Sequence, residues 1–420
     1  MPSGSALRRH FRPATGILGW PGLNTLVALG FFLATIFGKL RSGGVYVEDD
    51  AYYYLIVARN VAASGASTFD QQSLTNGYHP LWLAWLVLQD MTVGASLLAI
   101  LIVQAVLLAA ALFLLLRLAP RGQGAVSAAF TGAFALLIGS IGLNGMEVAL
   151  WTFCLAVLLT VITWSGSELR RGLLVGMAAA ACIGARIDSA FFVAPLVLVT
   201  PMTRSSRAVA FAVLAALGAV YAAYNLATFG VVMPVSSTIK SLGGLQINHP
   251  MLAQLTPFDP RQHARFYVVT LLAFLSAPAL IALSKPGTLG RAMAIASTTG
   301  GALYFVKLLF LSSWILWPWY NFAILFPMVA GLLILPPDLD AAVRPLAMRL
   351  TPIVTRRIGL ALAAASLGLL TLLGVAAYLK PFRQDNAFAE TNRQAVRLYG
   401  DLMGGARVAM GDRSGSFADA

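Results

Sequence analysis

Glu48, Asp49 and Asp50 stand side by side in a chain in which only 11% of residues are charged. Three adjacent carboxylates repel one another, so in a partly buried cleft at least one holds its proton more tightly than usual. Such a group can take a proton near neutral pH, which is what activation of a hydroxyl nucleophile requires. A solvated acidic loop capping the next helix reads equally well, because acidic side chains are favoured at helix N-termini. The triplet runs into Ala51-Tyr52-Tyr53-Tyr54-Leu-Ile-Val-Ala-Arg59-Asn60. That stretch reads as a helix lying on a membrane, with tyrosines at interfacial depth.

Other groups could join this chemistry. In Thr75-Asn76-Gly77-Tyr78-His79-Pro80-Leu81-Trp82, Asn-Gly marks a tight turn and Pro80 suits the first turn of a helix. His79 at the seam could meet substrate hydroxyls or phosphate, or be a hydrogen-bonded structural histidine. Glu147, after Asn144-Gly145-Met146, abuts an apolar run. An ionisable residue at membrane depth is a functional candidate by default, although a helix cap would explain it too. Arg186 and Asp188 raise the same question, or pair with each other. Lys240 follows Pro234-Val-Ser236-Ser237-Thr238, and Lys307 lies inside an apolar run. Either could neutralise a phosphate leaving group, and Lys307 could instead pair with a carboxylate. Trp317-Pro318-Trp319-Tyr320-Asn321 is an interfacial anchor or a platform for a sugar. Clustered carboxylates suit a hard divalent cation, but no metal ligand set is assigned. Walker-loop, GxGxxG and HExxH patterns are missing, which leaves nucleotide-driven chemistry unsupported.

The elements that must position these groups follow from composition. Of the 420 residues, 59% are hydrophobic, whereas soluble domains carry about 25% charged residues. Such a chain cannot cover itself with polar groups, so its solvent is a bilayer. The net charge of +13 then reflects basic cytoplasmic loops, and no nucleic-acid partner is expected. Cys154 and Cys182 both lie in apolar runs, which argues against a disulfide framework. Apolar runs predict eleven membrane helices at 18–38, 95–116, 124–142, 148–164, 172–185, 188–203, 207–228, 266–284, 293–313, 321–336 and 358–378. Lipid admits only helices or closed barrels, and these runs lack alternation, so the predicted fold is all-α.

Arg8, Arg9 and Arg12 before the first run place the N-terminus in the cytoplasm and read as the flank of a retained helix. The stretch 172–203 reads as a hairpin of two short spans, because one long helix would send basic clusters to the wrong side. The segments 39–94, 229–265 and 379–420 are then extracytoplasmic. Residues 1–378 form the predicted transmembrane domain and 379–420 a short tail. The expected location is a plasma membrane, a bacterial inner membrane by composition.

Asp50-Ala-Tyr-Tyr-Tyr-Leu-Ile-Val-Ala-Arg59-Asn60-Val61 resembles the first-loop motif of the GT-C glycosyltransferases, in particular the protein mannosyltransferase and aminoarabinose transferase families. Gly145-Met-Glu147, Arg186-Ile-Asp188 and Phe229-Gly230 through Pro234, Ser236 and Lys240 are similar to elements of an uncharacterised bacterial branch. Order and topology fit over roughly residues 15–335. The resemblance implies an inverting transfer of a sugar from a polyprenyl-phosphate donor to a glycan, lipid or protein acceptor. It implies catalytic roles for Asp50 and, as near alternative, Asp49. Glu48, Tyr53, Arg59, His79, Glu147, Arg186, Asp188 and Lys240 would bind substrate, with no metal required. Such proteins commonly end in a folded extracytoplasmic domain, and Val408-Ala-Met-Gly411-Asp412 reads as the opening of one. The rival expectations are a transporter or flippase of lipid-linked sugars, and a non-catalytic subunit of an envelope complex. Sugar, acceptor and linkage are not encoded in any motif.

Overall fold

The computed structural model describes residues 49–94, 96–120, 125–241, 244–254, 264–316 and 318–335, together with Gly30, Phe32, Leu33 and Gln394. Among these the chain is helical, with a single isolated β-bridge between Thr68 and Leu74. The predicted spans 18–38 (but for three residues) and 358–378, and the tail 379–420 (but for Gln394), lie outside the described residues.

The predicted loop 39–94 contributes two helices, α1 (Asp49–Ser64) and α2 (Pro80–Val93). Then come α3 (Leu97–Leu118), α4 (Ala125–Gly142), α5 (Val148–Thr163), α6 (Glu168–Ala185), a 3₁₀ turn at Ile187–Ser189 and α7 (Ala190–Val199). The long α8 (Arg204–Phe229) leads to two short helices, α9 (Val235–Lys240) and α10 (His249–Gln254). The described bundle closes with α11 (Ala264–Leu283), α12 (Leu289–Phe310) and a helical stretch α13 over 325–335, which follows the 3₁₀ segment Pro318–Ile324.

Three of these, α3, α8 and α12, are long and apolar enough to cross a membrane. They coincide with the predicted spans 95–116, 207–228 and 293–313. The predicted count of eleven is not met among the described residues. The apolar stretches 148–163, 187–199 and 322–335 form helices of 10–17 residues. Sixteen residues rise about 24 Å, short of the roughly 30 Å hydrocarbon core. Helix α6 is long enough but opens on Glu168, Arg170 and Arg171.

Local sequence explains the ends. Ser96, Ser167, Thr203 and Thr288 cap α3, α6, α8 and α12 by accepting a backbone N–H with the side-chain oxygen. Helix α8 stops at Gly230, whose φ of 72° suits glycine. The 172–203 hairpin forms as predicted. The chain breaks at Arg186, and Arg171 near the start of α6 donates to Pro201 O beyond the end of α7 at 3.0 Å.

Helices α6 and α8 pack backbone to backbone. A Cβ at Gly172 would lie 2.6 Å from Ser206 O, and one at Gly176 2.8 Å from Ala210 O. Small residues four apart permit such approach in lipid. Further along α8, Leu217, Val220 and Tyr224, on the same stripe as Ala210, are exposed, as is Leu226, and a bilayer would cover them.

The two ends of the bundle differ. At one, Arg171 donates to Ile162 O, Arg207 to Thr200 O at 2.9 Å, and Arg291 to Ile281 O and Ser284 O at 3.2 Å. These arginines, all expected in the cytoplasm, cap carbonyls left open where helices stop. The candidate residues gather at the other end.

Candidate functional site

Glu147 is fully buried at the mouth of α5. Its position is fixed by a tight loop in which Gly145 takes φ 80°, a left-handed value that favours glycine. Asn144 Oδ1 accepts the Met146 N–H at 3.0 Å. Gln104 on α3 locks the loop from outside: its Oε1 accepts the Gly145 N–H at 3.1 Å and its Nε2 donates to Met146 O at 2.6 Å. Sequence reading passed over Gln104. Its signal was an amide in a span that is otherwise apolar until Arg117. Gln104→Leu keeps the volume but leaves two buried backbone groups unpaired, so a loss of about 1–3 kcal/mol is expected. A lowered melting temperature of the solubilised protein checks this.

Arg186 is 1% exposed and reaches both carboxylates. Its Nη1 donates to Glu147 Oε1, and its Nη2 donates to Asp188 Oδ2 at 3.3 Å. Its Nε lies 2.9 Å from Asp188 Oδ1, an ion-pair contact without hydrogen-bond alignment. The guanidinium also lies over Phe322, 3.9 Å from the ring centroid, where the π face favours a cation. Asp188 receives a further hydrogen bond from the Tyr304 hydroxyl on α12 at 2.9 Å. Pairing of Arg186 with Asp188 was one of the expected outcomes. The larger network, drawn from three more elements, was not.

His79 joins this network from the first loop. The Ile187 N–H donates to its Nδ1 at 3.2 Å, so the ring proton of the neutral form sits on Nε2. That Nε2 faces Glu147 Oε1 at 3.6 Å, an electrostatic contact longer than a hydrogen bond. Burial holds the imidazole below its ordinary pKa against the pull of Glu147, so His79 is neutral at pH 7. The side chain keeps 22% of its surface open despite its dense surroundings. Its backbone N–H donates to the Tyr54 hydroxyl at 3.0 Å.

Tyr54 ties α1 to the same end. Burial first, then the charges of Glu147 and Asp50, push its hydroxyl well above the ordinary tyrosine range. Asp50 is exposed in the first turn of α1, within the electrostatic reach of Tyr53 and Tyr54. Glu48 lies outside the described residues, and of Asp49 only the backbone is described.

Tyr53 and Arg59 are not drawn in. The Tyr53 hydroxyl pairs with Thr75 Oγ1 at 2.7 Å, and its ring stacks on Phe69. Arg59 is exposed about 13 Å further along α1, and nine residues at 100° each turn it to the opposite face from Asp50.

The segments 39–94 and 229–265 meet at Asn76. Asn76 Oδ1 accepts the Val235 N–H at 2.8 Å, and Asn76 Nδ2 donates to Asn225 Oδ1 at 3.3 Å. This seats α9 and brings Lys240 within the field of His79. Lys240 Nζ lies 5.3 Å from the Tyr320 ring centroid and 5.8 Å from that of Trp314. Its carbonyl accepts the Ser313 N–H at 3.0 Å. Asn248 donates to Leu308 O at 3.1 Å and Trp314 O at 2.8 Å, fastening the second segment over the end of α12. Lys307, three residues after Tyr304, interacts electrostatically with Asp188, Lys240 and Arg186.

Arg186, Lys240 and Lys307 thus share one end of the bundle with Glu147 and Asp188, and Asp50 at the start of α1 acts on Tyr54 beside them. Two carboxylate oxygens, Glu147 Oε2 and Asp188 Oδ1, are buried without a hydrogen-bond partner. Buried polar atoms of that kind call for a ligand group or water. The arrangement can bind an anion beside acceptors for hydroxyl groups. Among the described residues no three His, Cys, Asp or Glu side chains converge as a metal-binding set. No protein-family model matches this chain, and no curated protein and no solved structure is found to be similar to it.

Proposed function

We propose that the chain is an inverting glycosyltransferase of the extracytoplasmic membrane face, with a GT-C-like all-α fold. The donor is a polyprenyl-phosphate sugar and the acceptor nucleophile is a hydroxyl. The observation that carries this reading is the convergence of His79, Glu147, Arg186, Asp188 and Lys240 at the end of the bundle opposite the basic caps, beside the acidic start of α1.

In this mechanism Asp50 takes the proton of the acceptor hydroxyl. The acceptor oxygen forms a bond to C1 from the face opposite the phosphate. The C1–O bond to the lipid phosphate breaks, and its electron pair leaves with the phosphate oxygen. One displacement inverts C1. The new negative charge needs a fixed cation in a site of low dielectric. Arg186 is saturated by two carboxylates and an aromatic face, so this role passes to Lys240. Glu147, held by Arg186 through Oε1, has its Oε2 without a hydrogen-bond partner, and this oxygen is offered to a sugar or acceptor hydroxyl.

A transporter of lipid-linked sugars would need ionisable groups along a continuous path. The described charges instead divide between the two ends, and the basic end is occupied in capping carbonyls. The test is transfer from a labelled polyprenyl-phosphate sugar pool by purified protein in liposomes, with the anomeric configuration of the product read by NMR. An inverted linkage is expected. A retained linkage, or movement of the donor across the bilayer without transfer, would overturn the proposal.

A further inference from the structure

We infer that the cleft between α7 and α12 seats the hydrocarbon chain of a lipid phosphate whose head is held by Lys307 and Lys240. This inference rests on the donor class proposed above and adds where the lipid lies, through Lys307 and an apolar cleft that have no part in the proposed reaction.

Lys307 carries the argument from one side. It sits in α12, one turn beyond Leu303, so the two share a helix face. Its ammonium lies 5.8 Å from the Tyr304 ring centroid, and no ion pair or hydrogen bond engages it or the Lys240 ammonium among the described residues. Lys240 and Lys307 act on each other electrostatically, so an anion bound by the Lys307 ammonium would also be stabilised by the charge of Lys240.

The cleft carries it from the other side. Ala190, Phe191, Ala194, Pro195 and Leu303 line it, and all are apolar. Leu303 is 51% exposed, so the cleft faces outward where lipid would lie. Its walls run the right way. Helix α7 descends from Asp188, placing Ala194 and Pro195 one turn deeper than Ala190 and Phe191. Helix α12 ascends, placing Leu303 one turn below Lys307. The Phe191 and Tyr304 ring centroids are 5.9 Å apart, so the cleft begins directly beneath the Tyr304–Asp188 hydrogen bond. At Gly300, where a Cβ would sit 2.8 Å from Phe191 O, the helices touch closely and shut the inner wall.

A cation pair with an apolar channel on the next turn fits a molecule with an anionic head and a hydrocarbon chain. Free phosphate would use only the lysines. Chain transfer from bilayer to cleft gains little, because lipid tails are as apolar as the wall. The lysines therefore supply the affinity, and the cleft fixes the approach and the orientation of the head.

Protein in phosphatidylcholine nanodiscs, titrated with a fluorescent long-chain polyprenyl phosphate, tests this without any acceptor. Lys307→Met and Leu303→Trp should each weaken binding about tenfold, the order that a lost charge contact or an overfilled apolar site costs. Ala194→Phe, filling the cleft from the opposite wall, should do the same. Inorganic phosphate should compete only weakly. Wild-type affinity in both filled variants, or displacement by inorganic phosphate as effective as by the lipid, would overturn the site. Should the lipid bind as expected while no sugar is transferred, the site stands and glycosyl transfer falls. Should transfer proceed with an unchanged KM in the filled variants, the reverse holds.

Discussion

Arg186→Met is expected to destabilise the solubilised protein by about 3–5 kcal/mol, because removing one partner leaves buried charge uncompensated. Arg186 holds Glu147 on α5 and Asp188 in the turn before α7, and it rests on Phe322. Its loss strands two carboxylates, one of them wholly buried. Arg186→Lys should rescue little, since an ammonium cannot span both carboxylates and lie flat on the ring. The pairing of Arg186 with Glu147 has its own signature. Glu147→Gln combined with Arg186→Met should be less destabilising than the two single changes added together, because the stranded charge is gone. Melting curves of the four proteins give the coupling directly. Strict additivity would mean that the network does not hold these elements together.

Asp50→Asn is expected to lower transfer about 10²–10⁴-fold, the range for loss of a positioned general base, while the melting temperature stays near that of the wild type. The contrast with Arg186 is the point of the experiment. Asp50 is exposed in the first turn of α1, so an isosteric amide should cost little folding energy. The KM for donor should change less than kcat, because proton transfer develops only in the transition state. Asp49→Asn is the matched control and should lose less. If Asp50→Asn transfers at the wild-type rate, Asp50 is not the base. The proton must then go to Asp49 or the reaction is not of this kind.

The contrast between these two residues also separates what the sequence could and could not say. Hydropathy announced helices and lipid, because both depend on short-range composition that any window of the chain displays. The 172–203 hairpin was legible because the positive-inside expectation argued for a turn near Arg186, and the chain does break there. The N-terminus of α2 was legible from Pro80, and the tight loop before Glu147 was foreshadowed by Asn144-Gly145. Span lengths were less legible. Apolar runs such as 148–164 and 321–336 read as crossings, yet the chain shapes them into helices too short to cross alone, since hydropathy registers composition and not where a helix stops.

Within the site, the residue types were readable and the pairings were not. Arg186 meets Asp188 two residues away, a pairing that a local reading contains. Its bond to Glu147 spans 39 residues, that of Ile187 N to His79 spans 108, and that of Tyr304 to Asp188 spans 116. No periodicity encodes contacts of that range. They follow from the packing of α12 on α7 where Gly300 meets Phe191 and from the seating of the first loop on Asn225. Tyr304 and Gln104 went unremarked because a single polar residue in an apolar run has no visible partner until the helices pack. Tyr53 and Arg59 stood in the most suggestive motif, yet the helical turn carries Arg59 away from Asp50. By itself, then, the sequence determined a helical chain with helices apolar enough to cross a membrane, and it named the candidate residue types. Only the tertiary structure decided which of them touch, which proton His79 carries and which cations are left for an anion, because those depend on long-range packing that local sequence does not specify.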